Sequence, residues 1–141
     1  RGGDVTYHGP GQLVCYPIID LSNYNKSISW YLALIQECII EILKKHKIDA
    51  AKKDSPFVGI WVDDEKIAAI GIRLSRWVSM HGFAINVNTD LSYFDGIIPC
   101  GIFEYGVTSM EKITNNKFNL QILAKKIASL FVKKLKDTDI S

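Results

Sequence analysis

A block rich in strand-forming residues lies between two patterns of amphipathic helix, and this order restricts the folds that the chain can adopt. The block runs from about position 58 to 88, and apolar residues recur at helical spacing over residues 27–46 and 118–136. Before the first helix, residues 13–19 predict a buried strand with an edge or a bend at Pro17. We therefore expect an α/β (α+β) fold, in which a mixed sheet is flanked by helices that cover one side.

The middle block predicts four strands. Residues 58–62 and 66–72 flank a run of three acidic residues, which is typical of a hairpin turn. Residues 77–80 and 82–88 are expected to form two further, separate strands. In the last strand, alternate residues should face opposite sides of the sheet, with Phe83, Ile85 and Val87 on one side and Ala84, Asn86 and Asn88 on the other.

Charge and apolar content limit the partners that the chain can have. The 141 residues carry a formal net charge of +2, which is too small to argue for nucleic acid as a partner. No apolar run reaches the ~20 residues that a helix needs to cross a bilayer, so we expect no membrane span in this chain. Cysteine and histidine occur at no zinc-like spacing and no phosphate loop is present, so we expect no metal site and no use of ATP by this segment.

The first residues of the chain bear on whether the domain is whole, and its cysteines bear on the redox compartment. The first residue is Arg1 rather than methionine, and it opens directly on a glycine-rich segment. We therefore expect residues 1–141 to form one domain that lacks its N-terminal part. Three cysteines, an odd number without a tight pairing pattern, favour a reducing compartment over a disulfide framework.

The opening segment, RGGDVTYHGPGQ, contains four glycines and a proline in twelve residues. Glycine has no Cβ, so the backbone here can turn tightly and approach a ligand closely. The same composition is also typical of a surface connection. From this segment alone, a pocket wall lined by backbone and a glycine-rich surface loop are equally good interpretations.

Cys100 is the candidate nucleophile. It lies between Pro99 and Gly101 in a predicted loop, where other groups can approach its sulfur, whereas Cys15 and Cys38 lie in apolar segments typical of small core residues. Only a thiolate is a strong nucleophile, so a cysteine needs a nearby positive charge or base to lower its pKa from about 8.5. An inert loop cysteine remains the alternative interpretation.

Three residues are candidates for activating this thiol, namely Lys66, His81 and His8. Lys66 begins an otherwise apolar strand, where a lysine usually extends to solvent. If it points into a pocket instead, it is a usable acid or base. His81 precedes a strand and His8 lies in the glycine-rich segment, and either could be a structural histidine.

Four segments together resemble one enzyme family. These are residues 1–12, residues 66–73 (KIAAIGIR), residues 81–87 (HGFAINV) and Pro99-Cys100-Gly101. In this order and spacing they closely resemble the lipoyl(octanoyl) transferases. The catalytic domain of that family is similar to those of biotin and lipoate protein ligases, which implies the same mixed sheet flanked by helices.

The resemblance implies transfer of an octanoyl group from octanoyl-acyl carrier protein to a lysine of lipoyl domains, through a cysteine thioester and without a cofactor. Such lipoyl domains belong to 2-oxoacid dehydrogenase complexes and to the glycine cleavage system. Cys100 would be the nucleophile that accepts the acyl group, and Lys66 would be its catalytic partner. The residues implied to bind the substrate are Arg1, Gly2, Gly3, Asp4, Val5, Thr6, Tyr7, His8, Ala69, Ile70, Gly71, His81, Gly82, Phe83 and Ala84.

Two other functions remain open at this point. An ATP-dependent lipoate protein ligase of the same fold uses no catalytic cysteine, so the Pro99-Cys100-Gly101 segment favours the transferase over it. A non-catalytic homologue is disfavoured by the joint presence of Lys66 and Cys100. The expected compartment is the bacterial cytoplasm or an organelle of bacterial descent.

Overall fold

The computed structural model describes residues 8–53, 58–92 and 106–138, and these contain a five-stranded sheet with helices packed on one face. The antiparallel strands follow the spatial order β1-β4-β3-β2, and β5 pairs with β3 in parallel. The expected architecture of a mixed sheet covered by helices is confirmed. The elements are β1 (Gln12–Cys15), α1 (Ile28–Lys45), β2 (Ile60–Val62), β3 (Glu65–Ser75), β4 (Val78–Asn86), β5 (Gly106–Val107), α2 (Met110–Thr114) and α3 (Leu120–Thr138).

The two long helices begin at side chains that cap them. Ser27 accepts a hydrogen bond from the backbone N–H of Trp30 at 3.1 Å, and Asn119 accepts one from Ile122 at 3.0 Å. Helix α1 ends at Lys45, within one residue of the end predicted from the sequence, and α3 packs against it over the sheet. Within the described ranges, no helix combines the length and the apolar character that crossing a membrane requires.

Strand β1 is shorter than the predicted strand over residues 13–19, because it ends at Cys15. Pro17 has no N–H to donate to a neighbouring strand, and Ile18 beyond it is 76% exposed. Beyond Pro17, hydrogen bonds with Ser79 of β4 join the chain to the sheet instead. The Ile19 N–H donates to Ser79 Oγ, and the Ser79 N–H donates to the Ile19 carbonyl, both at 2.8 Å.

The prediction of two separate strands over residues 77–80 and 82–88 is wrong, because β4 runs without a break through both. His81 has a left-handed backbone with φ of 62°. Its pairing with Ile72 and that of Gly82 with Gly71 nevertheless continue the antiparallel ladder. A single left-handed residue therefore does not end β4.

Candidate functional site

The two faces of the sheet carry different side chains. Strand pairs directly across the sheet share a face, so Ala68 and Ile70 of β3 lie with Ile85 and Phe83 of β4 in the core beneath the helices. The opposite face carries alanine and glycine. We call the second set, Ala69, Gly71, Gly82 and Ala84, the small-residue face; Ala69 is paired with Ala84 and Gly71 with Gly82.

A β-bulge places Lys66 on the same side as the small-residue face. Ile60 pairs with Ala68 while Trp61 pairs with Lys66, so Ile67 is an extra residue in β3. Ile67 and Ala68 both point into the core, with exposures of 0% and 1%. Without the extra residue, strict alternation would turn Lys66 into the core beside Ala68. Bulges that re-aim a side chain are common next to active sites.

Lys66 is buried, with 4% of its surface exposed, which excludes the solvent-extended orientation usual for a lysine. None of the described residues forms a hydrogen bond with its Nζ. The ring of Trp61 lies near it, with Nζ 5.3 Å from the ring centroid. A buried ammonium without a hydrogen-bond acceptor is costly, and such a group is uncommon outside functional sites.

A chain of hydrogen bonds connects Lys66 with the end of the glycine-rich segment. The Gly9 N–H donates to Gln12 Oε1 at 3.1 Å, and Gln12 Nε2 donates to Asn86 Oδ1 at 2.8 Å. Asn86 Nδ2 donates to the Thr108 carbonyl at 3.1 Å, and the Thr108 N–H donates to the Lys66 carbonyl at 2.9 Å. The amide of the buried Asn86 thus links β1 and β4 to the chain that follows β5.

Gly11, in the described part of the glycine-rich segment, has a structural role. Its φ is +86°, and a Cβ at this position would collide with the Asn88 carbonyl oxygen. The Gly11 carbonyl accepts hydrogen bonds from the N–H groups of Val87 and Asn88, at 3.2 and 2.9 Å. Here glycine permits a close approach between two backbone segments of the protein, rather than between backbone and ligand.

The other predicted site residues have different surroundings. His8 is exposed, and His81 is half-buried in β4. The side chains of Ile70 and Phe83 point towards the core, so only the backbone of these two residues could face the opposite side. Trp61 and Asn86 adjoin the site although the sequence did not indicate them.

The predicted residues outside the described ranges are Arg1, Gly2, Gly3, Asp4, Val5, Thr6, Tyr7 and Cys100.

The two described cysteines have the environment of core residues. Cys38 is fully buried, and Cys15 is partly buried and packs against the core. Burial raises the pKa of the Cys15 thiol to about 11 and that of Cys38 to about 12. This agrees with their interpretation as small core residues. In the described part of the chain, no three His, Cys, Asp or Glu side chains are grouped so as to hold a metal ion.

A comparison with protein families decides the relationship of this chain. The model of the lipoyl protein ligase A/B catalytic domain matches residues 1–132. The chain belongs to this family.

Several relatives in the family carry the name octanoyltransferase. The octanoyltransferase of Desulforamulus reducens is 50% identical over 131 residues, which cover 93% of this chain and 58% of that protein. The mitochondrial octanoyl-[acyl-carrier-protein]:protein N-octanoyltransferase of Danio rerio is 50% identical over 112 residues, 79% of this chain and 49% of that protein. The chain therefore spans about half of the length of these relatives.

Solved structures confirm the expected fold of the lipoyl protein ligase A/B domain. A biotin protein ligase from Aquifex aeolicus matches with a TM-score of 0.73 at 18% identity, over 92% of this chain and 55% of that chain. P. falciparum LipL1 in complex with lipoate matches with a TM-score of 0.68 at 19% identity, over 96% of this chain and 38% of that chain. At these identities the likeness establishes the fold alone.

Proposed function

We propose that this protein is an octanoyltransferase, with residues 1–141 forming one catalytic domain. It would move an octanoyl group from octanoyl-acyl carrier protein to a lysine of lipoyl domains, such as those of 2-oxoacid dehydrogenase complexes and the glycine cleavage system. The observation that carries the proposal is the buried Lys66 ammonium, which has no hydrogen-bond acceptor among the described residues and lies on the side of the small-residue face. Relatives named octanoyltransferase at 50% identity support it.

In the first half-reaction, the Cys100 thiolate attacks the carbonyl carbon of the carrier thioester. A new carbon–sulfur bond forms to Cys100, and the bond to the carrier sulfur breaks. The Lys66 ammonium gives its proton to the departing thiolate, which leaves as a thiol, and Lys66 becomes a neutral amine. One thioester replaces another, so no nucleotide is needed to drive this step.

In the second half-reaction, the neutral amine of the acceptor lysine attacks the Cys100 thioester. A carbon–nitrogen bond forms, the carbon–sulfur bond breaks, and the Cys100 thiolate is released. The Lys66 amine takes the proton that the acceptor nitrogen loses, which restores the ammonium and thiolate pair. The product amide is more stable than the thioester, so the second step favours completion.

The small-residue face suits an acyl chain. Ala69, Gly71 and Ala84 project little beyond the backbone of the sheet, so a straight acyl chain can lie against it. Each methylene removed from water contributes about 0.8 kcal/mol. Chain length would therefore be selected by the length of apolar surface available beside the reacting thioester.

Transfer without ATP tests the proposal. The protein is mixed with octanoyl-acyl carrier protein and a lipoyl domain, and the intact masses of the protein and the lipoyl domain are followed. We expect an octanoyl adduct on the protein and then on the domain, and loss of both in Cys100→Ser but not in the matched control Cys15→Ser. Transfer from free octanoate that requires ATP and persists in Cys100→Ser would contradict the proposal and indicate a ligase.

A further inference from the structure

We propose that Trp61 is a positioning residue for Lys66, whose indole ring holds the lysine ammonium in its buried place through a cation–π contact. The inference deepens the proposed octanoyltransferase function and rests on it for its kinetic test. Trp61 touches no reacting atom in this account. It acts through Lys66, and its loss should affect only the steps in which Lys66 takes part.

The contact is built into the register of the sheet. Trp61 and Lys66 are directly paired across the β2–β3 hairpin. Both are buried, with exposures of 2% and 4%, and Nζ lies 5.3 Å from the ring centroid. This distance is within the roughly 6 Å over which the negative face of an aromatic ring attracts a cation. Since no described residue forms a hydrogen bond with Nζ, the indole is the electron-rich group that offsets its desolvation.

Gly59 supplies the room that the lysine stem occupies. Its φ is +133°, and a Cβ built there would lie 3.4 Å from Lys66 Cε and 2.8 Å from the Ala68 carbonyl oxygen. A side chain at position 59 would therefore press on both the stem and the bulged strand. A lysine stem has four rotatable bonds. The Trp61 ring at the ammonium end and the Gly59 backbone beside the stem reduce the number of positions that Nζ can sample.

Lys53 provides a matched control on the same ring. Its Nζ lies 5.5 Å from the centroid of the Trp61 ring, close to the distance of Lys66. It differs because it is paired with Asp64 at 3.2 Å and its side chain is 28% exposed. The Asp64 carboxylate already pairs with the Lys53 ammonium. We therefore expect Lys53→Met to change the rate of transfer less than 2-fold, an order-of-magnitude expectation for an exposed contact.

A double-mutant cycle tests whether Trp61 acts through Lys66. Octanoyl transfer is measured for Trp61→Leu, Lys66→Met and the double variant, with Trp61→Phe as the variant that keeps an aromatic ring. We expect Trp61→Leu to lower kcat roughly 10- to 30-fold with little change in KM. Trp61→Phe should retain most of the wild-type kcat. In the Lys66→Met background, Trp61→Leu should have no further effect. Equal, additive losses in both backgrounds would overturn the proposal.

A second measurement does not depend on the reaction. A brief pulse of acetic anhydride labels accessible amines, and peptide mass spectrometry reports the labelling of Lys66 relative to Lys53. We expect Lys66 to be protected in the wild-type protein and in Trp61→Phe, and to label about 10-fold faster in Trp61→Leu, in line with the strength of a desolvated contact. Equal labelling in the Leu and Phe variants would overturn the proposal. Failure of the wild-type protein to transfer octanoate would contradict the proposed function alone, since the labelling result judges Trp61 separately.

Discussion

The two faces of one sheet carry side chains of different size and polarity. Beneath the helices, Phe83 and Ile85 are packed into an apolar core, whereas their neighbours in β4 on the opposite face are Gly82, Ala84 and Asn86. Buried apolar residues there stabilise the fold. On the other face, a cation is buried without a hydrogen-bond acceptor among the described residues, which reduces stability, and the role that we propose for it is chemical.

The largest contrast is expected between cysteines. At pH 8 the thiols of Cys15 and Cys38, with pKa values of about 11 and 12, are almost entirely protonated. If Cys100 is an activated thiol, it should react with iodoacetamide about 1000-fold faster than either. We expect a single adduct, placed on Cys100 by peptide mass spectrometry, and labelling of Cys15 that rises about 10-fold for each pH unit up to its pKa. Comparable labelling of all three cysteines would remove this contrast.

Truncation on the helix-covered face should affect stability alone. Ile85 is fully buried in the core, so Ile85→Ala should lower the free energy of unfolding by about 2–5 kcal/mol. Urea denaturation measures this change. Transfer activity per folded molecule, measured well below the unfolding transition, should stay within a factor of about 2 of the wild type. A loss of activity without a loss of stability would show that the two faces are not separate in function.

Asn86→Leu tests the hydrogen-bond chain with an almost isosteric side chain. Leucine can neither accept from Gln12 Nε2 nor donate to the Thr108 carbonyl, so both hydrogen bonds are lost. Loss of hydrogen bonds at a buried site costs about 1–3 kcal/mol. Urea denaturation should therefore show a free energy of unfolding that is lower than that of the wild type by about this amount. Stability equal to that of the wild type would contradict a structural role for the chain of hydrogen bonds.

A smaller effect is expected from added bulk on the small-residue face. Ala69 is half-buried opposite Ala84, and Ala69→Val adds two methyl groups where the acyl chain is proposed to lie. Displacing one or two methylenes from apolar contact should lower kcat/KM for an octanoyl donor by roughly 4- to 15-fold. Competition between hexanoyl and octanoyl carriers, with product masses as the readout, should then shift towards hexanoyl. An unchanged ratio would exclude the face around Ala69 from the acyl site.

Much of the fold follows from local sequence, because helical and strand periodicities identify α1, α3 and the β2–β3 hairpin directly. The position of Lys66 does not. Alternation along β3 would place it with Ala68, and only the extra residue at Ile67 turns it to the other side. The link from Gln12 to Asn86 joins residues 74 positions apart, so no local pattern could indicate it. Bulges and long-range hydrogen bonds depend on tertiary packing, and they are the features that build this site.

The most direct test of the account is the effect of Lys66→Met on activity and stability in the same preparation. Methionine keeps an unbranched side chain, shorter than lysine by its terminal atom, and removes the buried charge. Quenched-flow mixing with octanoyl-acyl carrier protein, followed by intact mass, should show acylation at least about 100-fold slower than in the wild type. The melting temperature should be unchanged or higher, because the variant removes a buried charge for which the described residues provide no hydrogen-bond acceptor. Acylation at the wild-type rate, or a loss of activity matched by unfolding, would contradict the account.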